Sequence, residues 1–547
     1  MPPLRRCIFL GDMKNCFVTA PVNVPVGANV LDVKDRLAKL LGILPCQIAD
    51  IQLKKQSVDA RKKEDVHFVC SYLVQCTKTP KRNAQRYTPP VNLLEHPQMV
   101  NVGSCIVVGS GPSGLFLARY LCNCGVRVTV VERGSDIAER CQKVQRFFDG
   151  GEFDSECNVQ FGLGGAGTFS DGKLTTGISS PLTHTVFEEF VRAGAPKEIL
   201  TSSLPHIGTD KLVGVVENMR NEIVRRGGKF IFDAFVDDLL EENGTVRGVS
   251  YVKEGERQTL FADCVALCCG HSAREMFVTL QKHGAEMQFK PFAVGLRVEH
   301  PREFINKVQY GEIFATHRDL GAASYKLVNN MGERSCYSFC MCPGGTVVCA
   351  NSTPNTVVVN GMSNFARAEA NSNSALVVTV TANDVADWGF GDDCLAGIRF
   401  QEKLEKDAYL CGKGNYVAPC QNVTDFVADT KTAVFDVAPS YPRGVVSADL
   451  RRLLPRKISD AIVQSLHVFG QKMKGFDACG VLTGVETRTS SPVKVVRDET
   501  FQSNLKALFP VGEGCGHSGG IVSSAVDGLK VAQAIAQFLL QKHTNSR

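Results

Sequence analysis

Apolar positions along the chain change period several times, and each change predicts an element. From Leu31 to Leu41 they recur at helical spacing, and from Val66 to Val74 they alternate like a strand with one buried face. These segments predict a small N-terminal α/β module over residues 1–80. From Thr77 to Met99 the chain is polar, carries Pro80, Pro89, Pro90 and Pro97 and keeps no period, which predicts a linker over 81–100. Periodicity returns at Ser104–Val108, a short continuous apolar run. An apolar-faced helix follows over Leu115–Cys124 and a second strand over Val126–Val131. Strand, helix and strand in this order predict a compact βαβ unit.

Residues 228–270 read as a run of strands ending at Cys264–Gly270, with a helix starting near Ser272. From 291 to 477 the character shifts to extended segments such as Thr356–Val359 and Ala375–Thr381, separated by Asn, Ser and Gly turns, which predicts an inserted domain. A strand, turn and helix over Leu508–Leu540 close the chain. The fold class expected is α/β, with a Rossmann-like domain in two parts, 101–290 and 478–547, around an inserted mixed α+β domain at 291–477. Every apolar run is broken by Gly, Ser or Arg before it reaches the ~18 residues of a membrane span, so no transmembrane segment is predicted.

Composition narrows the class. With 547 residues, 44% hydrophobic and 21% charged, the chain has the balance of a globular protein of several domains and not of a disordered or fibrous one. The net charge of +5 is uneven, because the first hundred residues hold 15 basic and 8 acidic side chains. Lys54, Lys55, Arg61, Lys62 and Lys63 cluster, and Lys78, Lys81, Arg82 and Arg86 follow. A solvated basic face is the favoured reading. An acidic partner such as a nucleic acid is the less favoured one, since no aromatic residues are interleaved as in single-strand binders. The 22 cysteines are scattered and form no CxxC pair, which excludes a zinc ribbon or thioredoxin-like motif and predicts no metal site. Their usage fits reduced thiols in an intracellular, cytoplasmic protein. Arg5 and Arg6 hint at organellar import, and Asp12 interrupts the hint.

The strongest chemical signal is Gly109-Ser110-Gly111-Pro112-Ser113-Gly114, set between the strand and helix of the βαβ unit. Gly109 permits the tight turn, Gly111 admits a pyrophosphate to the helix N-terminus, and Gly114 allows close helix-strand packing. Glu132, ending the second strand with Arg133 beside it, is placed to accept from an adenosine ribose. This pattern predicts a dinucleotide and does not separate FAD from NAD. The C-terminal run Leu508-Phe509-Pro510-Val511-Gly512-Glu513-Gly514 does so. Glu513 can hold a ribityl chain or pyrophosphate, and Gly520 and Ile521 open a helix toward a flavin ring. A second glycine run, Gly162 to Gly167, lacks a strand and a helix. It reads as a loop near the flavin, with Gly165 at the cofactor and Ser170, Asp171 and Lys173 as polar contacts, or as a plain structural loop.

Longer strings carry a resemblance. Asn158-Val159-Gln160-Phe161-Gly162, the run Gly164 to Leu174, Pro205 to Asp210, Lys290 to Gly295, Glu299-His300-Pro301, Tyr337 to Gly345, Asn360 to Ser363 and Gly484 to Pro492 resemble the FAD-dependent (NAD/FAD-utilising) dehydrogenases of bacteria and plants, over nearly the whole chain. The resemblance implies a flavoprotein fold with an inserted domain and an N-terminal appendage. The chain departs from the family pattern in having Leu163 for an acid, Cys515 for a small residue and His517 for an aromatic one.

The function expected is an FAD-dependent oxidoreductase passing hydride between flavin N5 and an organic small molecule, with NAD(P)H as a transient reductant at the flavin face. The alternative is a flavoprotein that acts on or docks to RNA or another macromolecule through its basic N-terminal module. His517, Lys173 and Asp171 are the candidate catalytic residues. Cys340 and Cys342 are either a thiol pair in electronic exchange with the flavin or packed residues at a strand end. Glu299 with His300, Glu486 with Arg488, and His206 with Asp210 remain as charged pairs for anchoring or for salt bridges.

Overall fold

The structure, a computed structural model, describes residues 15–95 and 97–545. Arg5, Arg6 and Asp12, on which the reading of import rests, lie outside the described residues.

Helix Val30–Leu41 begins at a capping box. Asn29 accepts from the backbone N–H groups of Leu31 and Asp32, and the Asp32 carboxylate accepts from the Asn29 N–H. The helix packs Val33, Leu37, Ala38 and Leu41 onto an antiparallel sheet in which Ile48–Asp59 pairs with His67–Cys76 along its length. Strand Ala84–Arg86 also joins this sheet, against Cys16–Thr19. The sheet thus runs past residue 80, where a linker was predicted, because a three-residue edge strand with little burial reads as polar. The module docks by backbone hydrogen bonds: the Gln56 N–H donates to the Thr201 carbonyl and the Ser203 N–H to that of Gln56, both at 2.8 Å.

Five parallel strands form the second sheet, in the order Leu508–Pro510, Cys264–Leu267, Ser104–Val108, Arg127–Val131, Lys229–Ile231. Helices Pro112–Asn123 and Ile521–Asn545 pack on one face. An antiparallel meander, Phe235–Glu242, Thr245–Lys253 and Glu256–Phe261, lies on the other with helix Arg274–Lys282. The central strand is buried on both faces, which is why it reads as an unbroken apolar run. Both the first and the last parts of the chain after the N-terminal module contribute to this sheet, giving the Rossmann-like FAD-binding class.

The segment between them builds a mixed seven-stranded sheet in the order Val328–Met331, Arg334–Cys342, Asn371–Val380, Phe292–Pro301, Val481–Glu486, Ala418–Asn422, Val445–Ser447. Helices Ala396–Cys411 and Arg456–Lys472 pack on it. Val481–Glu486 sits inside this sheet, beyond the predicted end at 477. All six of its residues are buried, so no alternation marks its faces, and Gly484 reads as a turn. Where the chain passes between the two bodies, Met287–Phe289 on the way out pairs antiparallel with Val493–Val495 on the way back. Among the described residues no helix is long and apolar enough to cross a membrane, and no group of His, Cys, Asp or Glu is arranged to hold a metal ion.

Candidate functional site

A cavity of about 670 Å³ lies between the two bodies, and its first wall is the glycine turn after Ser104–Val108. Gly109 has φ +98, and a Cβ there would stand 2.5 Å from the Cys268 carbonyl oxygen, so both the turn and the neighbouring strand require glycine. Gly111 differs, since its Cβ would meet only the Gly165 Cα at 4.0 Å and would point into open space. It is the N-cap of helix Pro112–Asn123 and offers no side-chain cap, which leaves the first N–H groups of that helix facing the cavity. Ser110, Pro112 and Ser113 line the same wall. Gly114 sits behind it, under the Gly109 carbonyl.

Glu132 binds the glycine loops to one another. Its carboxylate accepts from the Ser110 N–H (2.9 Å), the Ser110 hydroxyl (2.5 Å), the Gly134 N–H (3.0 Å) and the Gly162 N–H (2.9 Å). Arg133 stacks on Phe161 and Phe235, with its guanidinium carbon 4.3 and 4.6 Å from the ring centroids, and pairs with Glu156 and Glu275. The second glycine loop faces the first, with Gly165 opposite Gly111, followed by a short 3-10 turn over Ala166–Phe169. Leu163 is fully buried in the core under this loop, so the acid of the family pattern has no place there.

Arg140, which the motif reading missed, holds that loop in shape. Its guanidinium, fully buried, donates to the carbonyls of Asn158, Val159, Gly162, Leu163 and Gly165. Burial pushes it down to about 10. The signal was available: Ile137, Arg140, Val144 and Phe147 form one buried stripe of helix Ile137–Phe148, and an arginine on an apolar stripe needs partners there.

At the C-terminal end, Glu513, Gly520 and Ile521 line the cavity, and the Gly520 N–H donates to Glu513 at 3.2 Å. Burial pushes the Glu513 carboxyl up to about 7, against the pull of Lys290. Gly512 lies outside the lining and donates its N–H to Asp527 at 2.8 Å. His271 lies 3.9 Å from Glu513 and is pushed down to about 3, first by burial and then by Arg488 and Arg274.

The opposite wall comes from the mixed sheet and its loops. Arg297, fully buried in Phe292–Pro301, pairs with Glu486 at 2.7 Å and donates to Asn373, Asn360 and the Cys340 carbonyl. Glu405 is fully buried between Arg274 (2.7 Å) and Arg488 (2.9 Å), and these charges hold its carboxyl well below the usual range against the opposing effect of burial. Glu486 and Arg488 are therefore paired with other residues and not with each other. Glu299 accepts from Asn371 and Ser440, His300 bonds the Phe476 carbonyl, and His206 bonds that of Phe365 while Asp210 accepts from the Phe365 N–H.

Of the candidate catalytic residues, Asp171 and Lys173 reach the cavity together. Asp171 is buried and bound by Arg367 and the Ser363 hydroxyl. The half-buried Lys173 ammonium has no hydrogen-bond or ion-pair partner among the described residues. His517 is not brought to them, contrary to the expectation of a proton donor beside the flavin. Its ring bonds the Val495 carbonyl at 2.9 Å and lines a smaller adjoining cavity of about 290 Å³ with Thr175–Ile178 and Asp527. Burial first, then Arg497, pushes it down to about 4. The basic cluster of the N-terminal module is partly consumed within the fold: Arg61 pairs with Asp59, Lys63 donates to the Ala60 carbonyl, and Lys54 lies over the Tyr87 ring.

Residues 291–489 match the model of the FAD-dependent protein, C-terminal domain-like family, and residues 107–169 that of an NAD(P)-binding Rossmann-like domain. Residues 21–75 match a domain of unknown function (DUF8436). An uncharacterised protein of Clostridium beijerinckii is 40% identical over 524 residues, covering 93% of this chain and 96% of that one. Squalene epoxidase 6 of Arabidopsis thaliana is 27% identical over 210 residues, 38% of each chain. The solved structure of the flavin-dependent brominase Bmp2 aligns with 80% of this chain and 79% of its own, at 11% identity and a TM-score of 0.36.

Proposed function

We propose, from the premise that the chain belongs to the family of the full-length Clostridium beijerinckii relative and carries the FAD-dependent protein C-terminal domain, that it is an FAD-dependent oxidoreductase acting on a small organic substrate. The observation that carries the reading is Gly111, whose missing side chain opens onto the cavity at an uncapped helix N-terminus. A pyrophosphate fits that cradle, because the free N–H groups and the helix dipole both favour an anion. Arg133 with Phe161 and Phe235 offers a flat cationic face for the adenosine end, and Glu513 with Gly520 and Ile521 frames the ribityl and ring end. When bound, FAD supplies two-electron chemistry of the hydride-transfer type.

The chain's own side chains then divide the work. Arg140 and Glu132 hold the two glycine loops at the spacing the cofactor needs. Asp171, tied to Arg367 and Ser363, fixes the wall from which Lys173 faces the cavity. An unpaired, half-buried ammonium there orients a substrate through a carboxylate or another anionic group. Only one βαβ dinucleotide unit is present among the described residues, and Gly162–Gly167 is spent on the same site, so NAD(P)H would visit at the flavin face.

The test is replacement of Gly111. The purified chain is expected to be yellow with one FAD per chain, and Gly111→Val to be colourless at unchanged solubility and circular dichroism. A soluble G111V protein with full flavin absorbance would remove the assigned site.

A further inference from the structure

The wall facing the glycine turn carries two cysteines that the proposed function does not use. Strand Arg334–Cys342 pairs regularly with Asn371–Val380 from Cys336 to Phe339, opposite Val378 to Ala375, and then slips so that Cys342 faces Asn373. Cys340 and Met341 oppose the single residue Ser374, a β-bulge, and Cys340 takes φ +44. In a flat strand, side chains two residues apart stand side by side without touching. The bulge folds the pair back on itself: the Cys342 thiol donates to the Cys340 carbonyl oxygen at 3.3 Å. Cys340 lines the cavity and Cys342 is fully buried behind it.

The surroundings fix this arrangement. Arg297 donates from both terminal nitrogens to the Cys340 carbonyl, at 3.2 and 3.3 Å, and is itself held by Glu486, Asn373 and Asn360. The free ammonium of Lys173 acts electrostatically on both sulfurs. Cys340 lines the same cavity as Glu513, Gly520 and Ile521, the flavin-facing end. Buried thiols elsewhere, such as Cys268, Cys336 and Cys420, are pushed up by desolvation. Cys340 is instead pushed down, first by its neighbour Cys342, with Lys173 and Arg297 adding. That is the environment of a reactive thiolate beside a resolving thiol.

We propose that Cys340 and Cys342 are a dithiol–disulfide couple that exchanges an electron pair with the flavin bound in this cavity, an inference that rests on the FAD reading above. In the oxidative direction Cys340 enters as thiolate and Cys342 as thiol. The S–S bond forms, the Cys342 S–H bond breaks, and the electron pair and that one proton pass to the oxidised flavin. Charge and atoms balance without a further reagent. In the reverse direction the same pair and proton return and open the disulfide. Arg297 and Glu486 act as positioning residues through the Cys340 carbonyl, and Lys173 steadies the thiolate.

The test uses the full-length holoprotein. Air-oxidised wild type is titrated anaerobically with dithionite beside Cys342→Ser, Cys340→Ser and, as a control in the same strand, Cys336→Ser. Wild type and C336S are expected to consume about twice the reductant per flavin that C342S and C340S consume, because the couple stores a second electron pair. In parallel, thiols are alkylated under denaturing conditions before and after reduction. Cys340 and Cys342 are expected to be protected before and labelled after, whereas their neighbours are labelled throughout. Equal reductant uptake in all four proteins, with both cysteines labelled before reduction, overturns the proposal and leaves the flavin reading intact. A chain without flavin absorbance overturns both, and is recognised before the titration begins. Using two serine variants, one at the cavity wall and one in the core, separates loss of the couple from loss of the fold.

Discussion

The two walls of the cavity are made in opposite ways. The dinucleotide wall is main chain: glycines at Gly109, Gly111 and Gly165, N–H groups, and one carboxylate and one guanidinium that bind the backbone itself. The opposite wall is braced by side chains: Asp171 with Arg367 on the lining, and behind it Arg297 with Glu486 and Glu405 between Arg274 and the lining residue Arg488, pairs drawn from 131 to 196 residues apart except Glu405 with Arg488, which are 83 apart. A wall of backbone recognises what every dinucleotide shares. A wall braced by paired charges can be redrawn by single substitutions that leave the glycine turn untouched.

The sharpest way to break this comparison is to remove Glu405. Glu405→Ala leaves Arg274 and Arg488 buried side by side without their anion, and the expected cost is about 3–5 kcal/mol by chemical denaturation. A loss below about 1 kcal/mol would mean that the charged wall is not held by its ion pairs. On the other wall, Arg140→Leu deprives five buried carbonyls of their donor. The expected loss is about 2–4 kcal/mol of stability, with at least a tenfold fall in FAD affinity measured by flavin fluorescence. Unchanged affinity would show that the second glycine loop keeps its shape without the guanidinium.

The smallest effect expected is a pH dependence. The folded Glu513 carboxyl lies above its unfolded value, so the native state keeps its proton while the unfolded chain has released it. The stabilisation is complete at acid pH, below the ordinary carboxylate range, and is lost progressively as pH rises to about 7, by on the order of 2 kcal/mol in the apo chain. Glu513→Gln is expected to flatten this part of the urea midpoint against pH. A slope that survives the substitution would assign it to another group.

What the sequence discloses follows the same division. The glycine turn is legible because backbone geometry demands particular residues at short spacing, and so is the Rossmann-like class, since its central strand is an unbroken apolar run. Glu132 was chosen for a ribose, whereas its carboxylate accepts from Ser110, Gly134 and Gly162, donors that no spacing rule connects. Arg140, Arg297 and Glu405 were missed because their partners lie far along the chain. Each nonetheless stands on a buried stripe or strand, so a charge at an apolar position is the local trace of a distant partner. His517 follows the Glu513 turn in the sequence, where it reads as a polar replacement or as a candidate proton donor. A one-dimensional reading cannot tell which way a loop residue faces, and its ring turns to Val495.

The clasp of Met287–Phe289 with Val493–Val495 has an architectural consequence. The chain leaves for the second body and returns from it through one pair of adjacent strands, about 5 Å apart, so the covalent junction is single, while Arg274–Glu405, Asp171–Arg367 and Arg443 on the Phe147 carbonyl tie the two bodies together elsewhere. Closing the gap with a short turn would cost little in loop closure, so the cost of removing that body is set by the buried pairs it takes with it, Glu405 from Arg274 and Arg367 from Asp171. One contiguous stretch of gene therefore encodes most of the wall that faces the glycine turn.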